Sequence, residues 1–182
     1  MAQLESRCLD AFPEWLRSLG DDARALGALL EGSALPEPAR RQVAGALNYL
    51  FKSLDLIPDG IEDLGFVDDA FVFRVSAALA VEAGATAGAD PSGTLGRLAA
   101  DAALVAEFLG ADYGRLERYT SALSAGASRG RSVDDIVGDA RVRSELLREV
   151  SGWAESYGAP SFARDEKNLV KLRSFLGAKL PA

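Results

Sequence analysis

Apolar residues recur along this chain at intervals of three and four positions, the spacing of one face of an α-helix. The spacing predicts a first helix from about Leu4 to Leu19, which Pro13 bends or interrupts, and a second helix that opens at Asp21. The third predicted helix carries the clearest apolar stripe, formed by Val43, Leu47, Leu50, Phe51 and Leu54. The pattern therefore favours an all-α fold.

The helical pattern stops at Asp55 and returns near Asp68, so residues 55–67 are predicted to form an irregular corner around Pro58. The helix from Asp68 to about Ala85 is apolar on two faces, and we expect it to be the most buried one. Further helices are predicted after caps or turn residues at Asp90-Pro91, at Ser132, at Asp139 and near Arg164. The prediction is a single-domain bundle of about seven to eight helices over residues 1–182.

Composition agrees with this class, because Ala and Leu far outnumber the β-branched residues that a sheet would use. The chain has no histidine, which excludes Ser-His-Asp and Cys-His catalysis and His-ligated zinc. The single cysteine, Cys8, is expected to be a buried apolar residue. No signal-like leader and no apolar run approaching the roughly 20 residues of a membrane span is visible, so we expect a cytoplasmic protein without a transmembrane segment.

Charge is concentrated in one short segment. The net charge is −7, and the segment from Ser53 to Phe73 contributes −6 of it without any Lys or Arg. Its acidic residues are Asp55, Asp59, Glu62, Asp63, Asp68 and Asp69. The last residues, 162–182, carry a local charge of +3. A pI of about 4.7 argues against a nucleic-acid partner, which would require a basic surface.

The passage from Tyr49 to Asp69 resembles the YkvA family, a small bacterial domain of unknown function. The family pattern is a tyrosine, then Asp-Leu-Ile-Pro-Asp, an isoleucine, Leu-Gly with an aromatic residue, and a closing Asp-Asp. The matching residues are Tyr49, Asp55, Leu56, Ile57, Pro58, Asp59, Ile61, Leu64, Gly65, Phe66, Asp68 and Asp69. The resemblance covers about 21 of 182 residues and places a YkvA-like core at about 36–86, with a helical extension over 90–182.

Three positions depart from that family pattern. Ser53 and Glu62 stand where the family usually has prolines, and Asp63 stands where it has an apolar residue. Some family members carry a transmembrane segment, which this chain lacks. The resemblance brings no established chemistry, so it implies neither catalytic residues nor a cofactor.

The acidic segment has two interpretations. In the first, Asp55, Asp59, Asp68 and Asp69 hold Mg²⁺ or Ca²⁺, which prefer carboxylate oxygens. Arg40, Arg41 or Arg74 would then clamp a phosphate in a metal-dependent enzyme acting on phosphorylated or diphosphate substrates. No EF-hand spacing and no helical Asp-Asp-x-x-Asp motif is present.

In the second interpretation the same aspartates serve structure. Asp59 before Gly60 suits a turn, and Asp68 and Asp69 suit a helix N-terminus, where negative charge is stabilised. The buried aspartates would pair with Arg40, Arg41 or Arg74.

The preferred functional prediction is a non-enzymatic, cytoplasmic interaction or regulatory module whose acidic segment binds a protein partner or a second copy. A metal-dependent enzyme is the alternative. A third hypothesis is a peripheral membrane protein that attaches through its basic C-terminal helix, which carries Lys167, Lys171 and Lys179 beside a leucine stripe.

Overall fold

The computed structural model describes residues 2–182, which form α-helices and one very short hairpin, so the predicted all-α class is confirmed. The helices are α1 (Ala2–Glu31), α2 (Glu37–Tyr49), α3 (Val67–Glu82), α4 (Thr94–Leu109), α5 (Tyr113–Leu123), α6 (Val133–Gly138), α7 (Ala140–Ser156) and α8 (Glu166–Lys179). The hairpin pairs β1 (Ala127–Ser128) with β2 (Arg131–Ser132) in antiparallel register.

Helix α1 is continuous over 30 residues, which corrects the prediction of two helices separated near Asp21. Pro13 removes one backbone donor but does not end the helix. Both halves bury one apolar face, including Cys8, Leu16 and Leu26, and that burial outweighs the missing hydrogen bond. Cys8 is fully buried as predicted, and burial raises the pKa of its thiol to about 11.

Helix α2 ends at Tyr49, which corrects the prediction that its apolar stripe continues to Leu54. The N–H groups of Phe51 and Lys52 bond the carbonyls of Asn48 and Tyr49, at 3.2 and 2.9 Å, and so close the helix with tight turns. The chain then leaves the helix axis. Leu54 consequently lies in the loop with 83% of its surface exposed instead of in the core.

Helix α3 is the most buried helix, as predicted, and every residue from Val67 to Ala77 is shielded from solvent. It packs between α2 and α4. Phe71 meets Phe12 of α1 edge-to-face at 5.1 Å between ring centroids and Phe108 of α4 at 6.0 Å. Such aromatic pairs add about 0.5–1.5 kcal/mol each beyond the burial of their area.

Helix caps follow the sequence at most of the predicted places. The hydroxyl of Ser132 accepts the N–H of Asp135 at 3.0 Å, and Asp139 accepts the N–H of Arg141 at 2.8 Å. Helix α4 begins at Thr94 instead of directly after Asp90, yet Asp90 still accepts the N–H of Gly96 at 3.0 Å. Residues 127–132 form the hairpin, whose turn residues Arg129 and Gly130 both have positive φ.

Helix α1 packs against α7, α2, α4 and α8, so it contacts both the segment around the acidic corner and the helices that follow it. Apolar residues from all eight helices contribute to one buried cluster. Among residues 2–182, no helix combines the length and the apolar character that crossing a membrane requires.

Candidate functional site

The acidic corner comprises residues 50–66 together with Asp68 and Asp69 in the first turn of α3. Two buried groups hold its loop in place. The hydroxyl of Tyr49 donates a hydrogen bond to Oδ2 of Asp68 at 2.6 Å and accepts the N–H of Leu56 at 2.9 Å. The N–H of Ile57 donates to the same Oδ2 at 3.2 Å. A side chain at the end of α2 and another at the start of α3 thus fix the loop between them.

Asp68 is fully buried, and its environment acts on its charge in opposing directions. Burial raises the pKa of its carboxyl to about 6, against the lowering effect of the hydrogen bonds from Tyr49 and Ile57. Its second oxygen, Oδ1, is buried without a hydrogen-bond partner among the described residues. One oxygen of this carboxylate therefore has hydrogen-bond donors, and the other has none among the described residues.

The structure brings the other predicted aspartates into the electrostatic range of Asp68. The pKa of Asp55 is raised to about 7, chiefly by burial and then by the charges of Asp68 and Asp59. Asp69 is buried and has a pKa well above its usual range, chiefly through burial and then through Asp68, Asp59 and Asp55. The pKa of Asp59, which lies at the surface, is raised by partial desolvation. The four carboxylates therefore repel one another across a single corner.

The three candidate arginines are not part of this corner, so the predicted arginine pairing is absent from the described structure. Arg74 is fully buried, where Nε bonds Asp101 at 3.2 Å and the guanidinium lies 4.0 Å from the ring centroid of Trp15. Arg41 pairs with Glu37 and with Asp134, at 3.3 and 2.6 Å.

Arg40 donates to the carbonyl of Leu30 at 3.3 Å. None of the four aspartates forms a salt bridge with any residue from 2 to 182. The sequence could not show this, because the partners of these arginines lie on distant segments of the chain.

The backbone path of the loop depends on Gly65 and Phe66. A Cβ atom at Gly65 would lie 2.2 Å from the carbonyl oxygen of Asp59, so only glycine permits this approach of two loop backbones. Phe66 adopts a left-handed conformation with φ 64°. Its ring packs edge-to-face on Tyr157 at 5.3 Å, and this packing offsets the backbone strain.

The aspartates influence one another's charge but do not form a ready-made metal centre. In the part of the chain that the structure describes, no group of three or more Asp, Glu or Cys side chains is placed to hold a metal ion. Oδ1 of Asp55 and Oδ1 of Asp68 are both buried and have no hydrogen-bond partner among residues 2–182.

The edge of the corner also exposes an apolar residue, Leu54, which the apolar stripe of the third predicted helix includes. Leu54 projects into solvent beside the partly buried Asp55, and Asp59 and Glu62 are exposed on the same loop. Asp63 accepts a hydrogen bond from Ser161 at 3.2 Å. A loop that exposes both an apolar side chain and carboxylates suits a partner that offers a basic and an apolar group together.

The basic C-terminal helix exposes its lysines but not its leucines. Lys167, Val170 and Lys171 lie on the exposed face of α8. The leucines of the predicted stripe are buried in the core: Leu169, Leu172, Leu176 and Leu180. The apolar face that a membrane-surface helix would insert is therefore already used in folding.

Residues 39–74 match the model of a protein family described as protein of unknown function (DUF1232). No curated protein and no solved structure matches the chain. The match begins within α2, includes the whole acidic corner and ends in the middle of α3. The Tyr49–Asp68 contact and the four aspartates thus all lie in the segment that matches the DUF1232 family, in agreement with the YkvA-like resemblance of the sequence.

Proposed function

We propose that this chain is a non-catalytic interaction or regulatory module that acts in the cytoplasm and receives a basic segment of a protein partner at its acidic corner. One observation carries the proposal. Asp55, Asp59, Asp68 and Asp69 lie in one corner and raise one another's pKa values, and no ion pair within residues 2–182 neutralises them. A cationic group that binds at the exposed Asp59 and the partly buried Asp55 relieves part of that repulsion, so binding and charge balance favour each other.

Leu54 supports a protein partner over a simple ion. A leucine that is 83% exposed gains from burial against an apolar surface, about 1.5–3 kcal/mol for a fully covered side chain. A mobile ion offers no such surface. The expected partner segment therefore combines Lys or Arg residues with at least one apolar side chain.

The groups with the strongest hydrogen bonds in the corner are used structurally. The hydroxyl of Tyr49 and one oxygen of Asp68 hold the backbone of Leu56 and Ile57. Both side chains are buried, so a substrate could reach them only if the loop opened. This arrangement supports a binding role over a catalytic one.

The test uses a defined probe, a fluorescein-labelled peptide of alternating arginine and leucine, with a glutamate-for-arginine version as the reference peptide. Fluorescence anisotropy at low salt should show binding of the basic peptide alone. The variant Asp59→Asn/Glu62→Gln should bind about 3–10-fold more weakly, since each exposed charge contact contributes about 0.2–1 kcal/mol. Leu54→Ser should weaken binding by at least about tenfold, since a fully covered leucine contributes about 1.5–3 kcal/mol.

Two substitutions elsewhere serve as matched controls. Glu31→Gln removes an exposed carboxylate outside the corner, and Val170→Ser removes an exposed apolar side chain of α8. Both should bind like the unmodified chain. Equal affinity of the corner variants and these controls would contradict the proposal. Sedimentation of the chain alone, at low and high salt, tests whether the partner is a second copy that offers the lysines of α8.

A divalent cation is the second candidate ligand, and the unpartnered Oδ1 atoms of Asp55 and Asp68 support it. If Mg²⁺, Mn²⁺ or Ca²⁺ binds the folded chain, it should raise the melting temperature, and Asp59→Asn should reduce that rise. The absence of a shift at millimolar metal would dismiss this candidate together with the metal-dependent enzyme.

A further inference from the structure

A second feature adjoins the acidic corner and shares Lys52 with it, a cleft of about 190 Å³ between α2, α5 and the hairpin. We call it the Lys52 cleft. Its walls are formed by Gly45, Asn48, Tyr49, Lys52, Tyr119, Ala122, Leu123, Gly126, Ala127 and Ser128. The close approach that forms its floor depends on Gly45, where a Cβ would lie 2.9 Å from the backbone of Leu123.

Three polar groups of the cleft carry hydrogen-bond donors that no acceptor satisfies. They belong to Lys52, Tyr119 and Ser128. The ammonium of Lys52 donates to the hydroxyl of Tyr119 at 2.8 Å, which leaves two of its three N–H groups and the Tyr119 proton free. The hydroxyl of Ser128 is buried without a partner among the described residues. Asn48, in contrast, is occupied by Arg131, whose carbonyl and Nε it bonds at 3.0 and 3.3 Å.

Charges of both signs surround the cleft, and the Lys52 ammonium is close enough to Asp55 to lower the pKa of that carboxyl. Lys52 is the charged residue of the lining, and it lies 4.8 Å from the ring centroid of Tyr119. The guanidinium groups of Arg129 and Arg131 lie 5.8 and 5.7 Å from the ring centroid of Phe51, the neighbour of Lys52. Arg131 also pairs with Glu149 at 3.1 Å. The free donors of Lys52 and Tyr119, one of them carried by an ammonium, favour an anionic ligand inside the cleft.

We propose that the Lys52 cleft binds the carboxylate or phosphate group of a small metabolite, held by the Lys52 ammonium and the hydroxyls of Tyr119 and Ser128. The size of the cleft limits the ligand, because sites for drug-sized molecules measure about 300–1,000 Å³. The aromatic and aliphatic walls accommodate a short apolar body beside the anionic group. This ligand differs in charge from the basic partner of the acidic corner, so the two proposals fail independently.

The test is a titration of the ¹⁵N-labelled full chain with sodium phosphate and, separately, with sodium propionate, followed by amide chemical shifts at constant ionic strength in NaCl. We expect saturable shifts of Lys52 and of residues 122–128, and the anion that saturates at the lower concentration identifies the head group. Lys52→Gln should weaken binding about tenfold, the effect of one lost charge-assisted hydrogen bond. Lys171→Gln, an exposed lysine on α8, should leave it unchanged.

A second variant tests anion binding in the Lys52 cleft even if Lys52→Gln disturbs the fold. Ala122 is exposed and lines the cleft, so Ala122→Leu fills it without changing any charge. It should also weaken binding about tenfold. Shifts of the unmodified chain that rise linearly without saturation, or equal affinity of Ala122→Leu and the unmodified chain, would overturn the proposal.

Discussion

The hydroxyl of Tyr49 donates a hydrogen bond of 2.6 Å to Oδ2 of Asp68, which joins the last residue of α2 to the first turn of α3 across 19 positions of the chain. Both residues are buried. The same two side chains accept the N–H groups of Leu56 and Ile57. The shape of the acidic corner therefore depends on one contact between two helices.

Tyr49→Phe tests that dependence. The substitution leaves the ring in place but leaves the N–H of Leu56 without its acceptor and Asp68 with the N–H of Ile57 as its remaining donor. We expect a loss of about 1–3 kcal/mol in the free energy of unfolding, measured by urea denaturation. Tyr113→Phe is the control, because the Tyr113 hydroxyl forms no hydrogen bond to residues 2–182, and it should change the free energy by less than about 0.5 kcal/mol. Equal losses for both variants would contradict the bracing role of Tyr49.

The corner should also make stability depend on pH. The pKa of Asp55 rises from 3.8 to about 7 on folding, so the folded chain binds this proton more tightly than the unfolded chain. The resulting stabilisation is complete below pH ~4 and is lost as the pH rises through about 7. Asp55→Asn keeps a neutral side chain at every pH. Its stability relative to the unmodified chain should therefore increase by about 1 kcal/mol between pH 4.5 and 7.5, after allowance for solvent screening.

Glu31→Gln is the reference for this measurement, because it removes an exposed carboxylate far from the corner. Its stability relative to the unmodified chain should stay nearly constant over the same pH range. If Asp55→Asn follows the reference, Asp55 does not carry the proton linkage.

Gly65→Ala tests the close approach of the loop backbones. The new Cβ would meet the carbonyl oxygen of Asp59 at 2.2 Å, and relief of that clash requires a backbone shift. We expect a loss of about 1–3 kcal/mol in thermal or urea unfolding. Gly60→Ala, in the same loop, meets no atom within 4 Å and should be neutral or slightly stabilising. Similar results for the two variants would show that the loop adapts freely.

Arg74→Lys tests whether Arg74 stabilises the fold or binds the partner. Lysine cannot reproduce the pair of bonds to Asp101 and to the carbonyl of Ala70, nor the stacking on Trp15. We expect a loss of at least about 2 kcal/mol in stability and no change in the affinity for the basic peptide. Arg24→Lys, on the exposed face of α1, should cost less than about 0.5 kcal/mol. Weaker peptide binding by a folded Arg74→Lys chain would show that Arg74 takes part in binding.

Local signals in the sequence were sufficient for much of the fold. Apolar spacing predicted the helices, and the short polar side chains of Ser132 and Asp139 predicted two caps, because a cap depends on residues two or three positions away. Pro58 marked the irregular corner for the same reason. The continuity of α1 was missed at Pro13, because the outcome depends on how much apolar surface other helices cover.

The details of the corner depend on contacts between distant residues, which spacing cannot show. Leu54 continues the apolar stripe of α2 but lies outside it, because tight turns after Asn48 close the helix first. Arg74 lies near the acidic segment in sequence, yet its partner Asp101 is on the next helix. The importance of Tyr49 was visible only as a residue of the family motif.

The course of α1 has a consequence for dissecting this chain. At about 1.5 Å per residue it is about 45 Å long. It packs against α2, within the DUF1232 match, and against α4, α7 and α8, which follow that match in the chain. A fragment limited to residues 36–86 would lose that support and present the apolar surfaces of α2 and α3 to water. Recombinant work on the acidic corner should therefore keep the chain whole, and its unfolding should follow one cooperative transition.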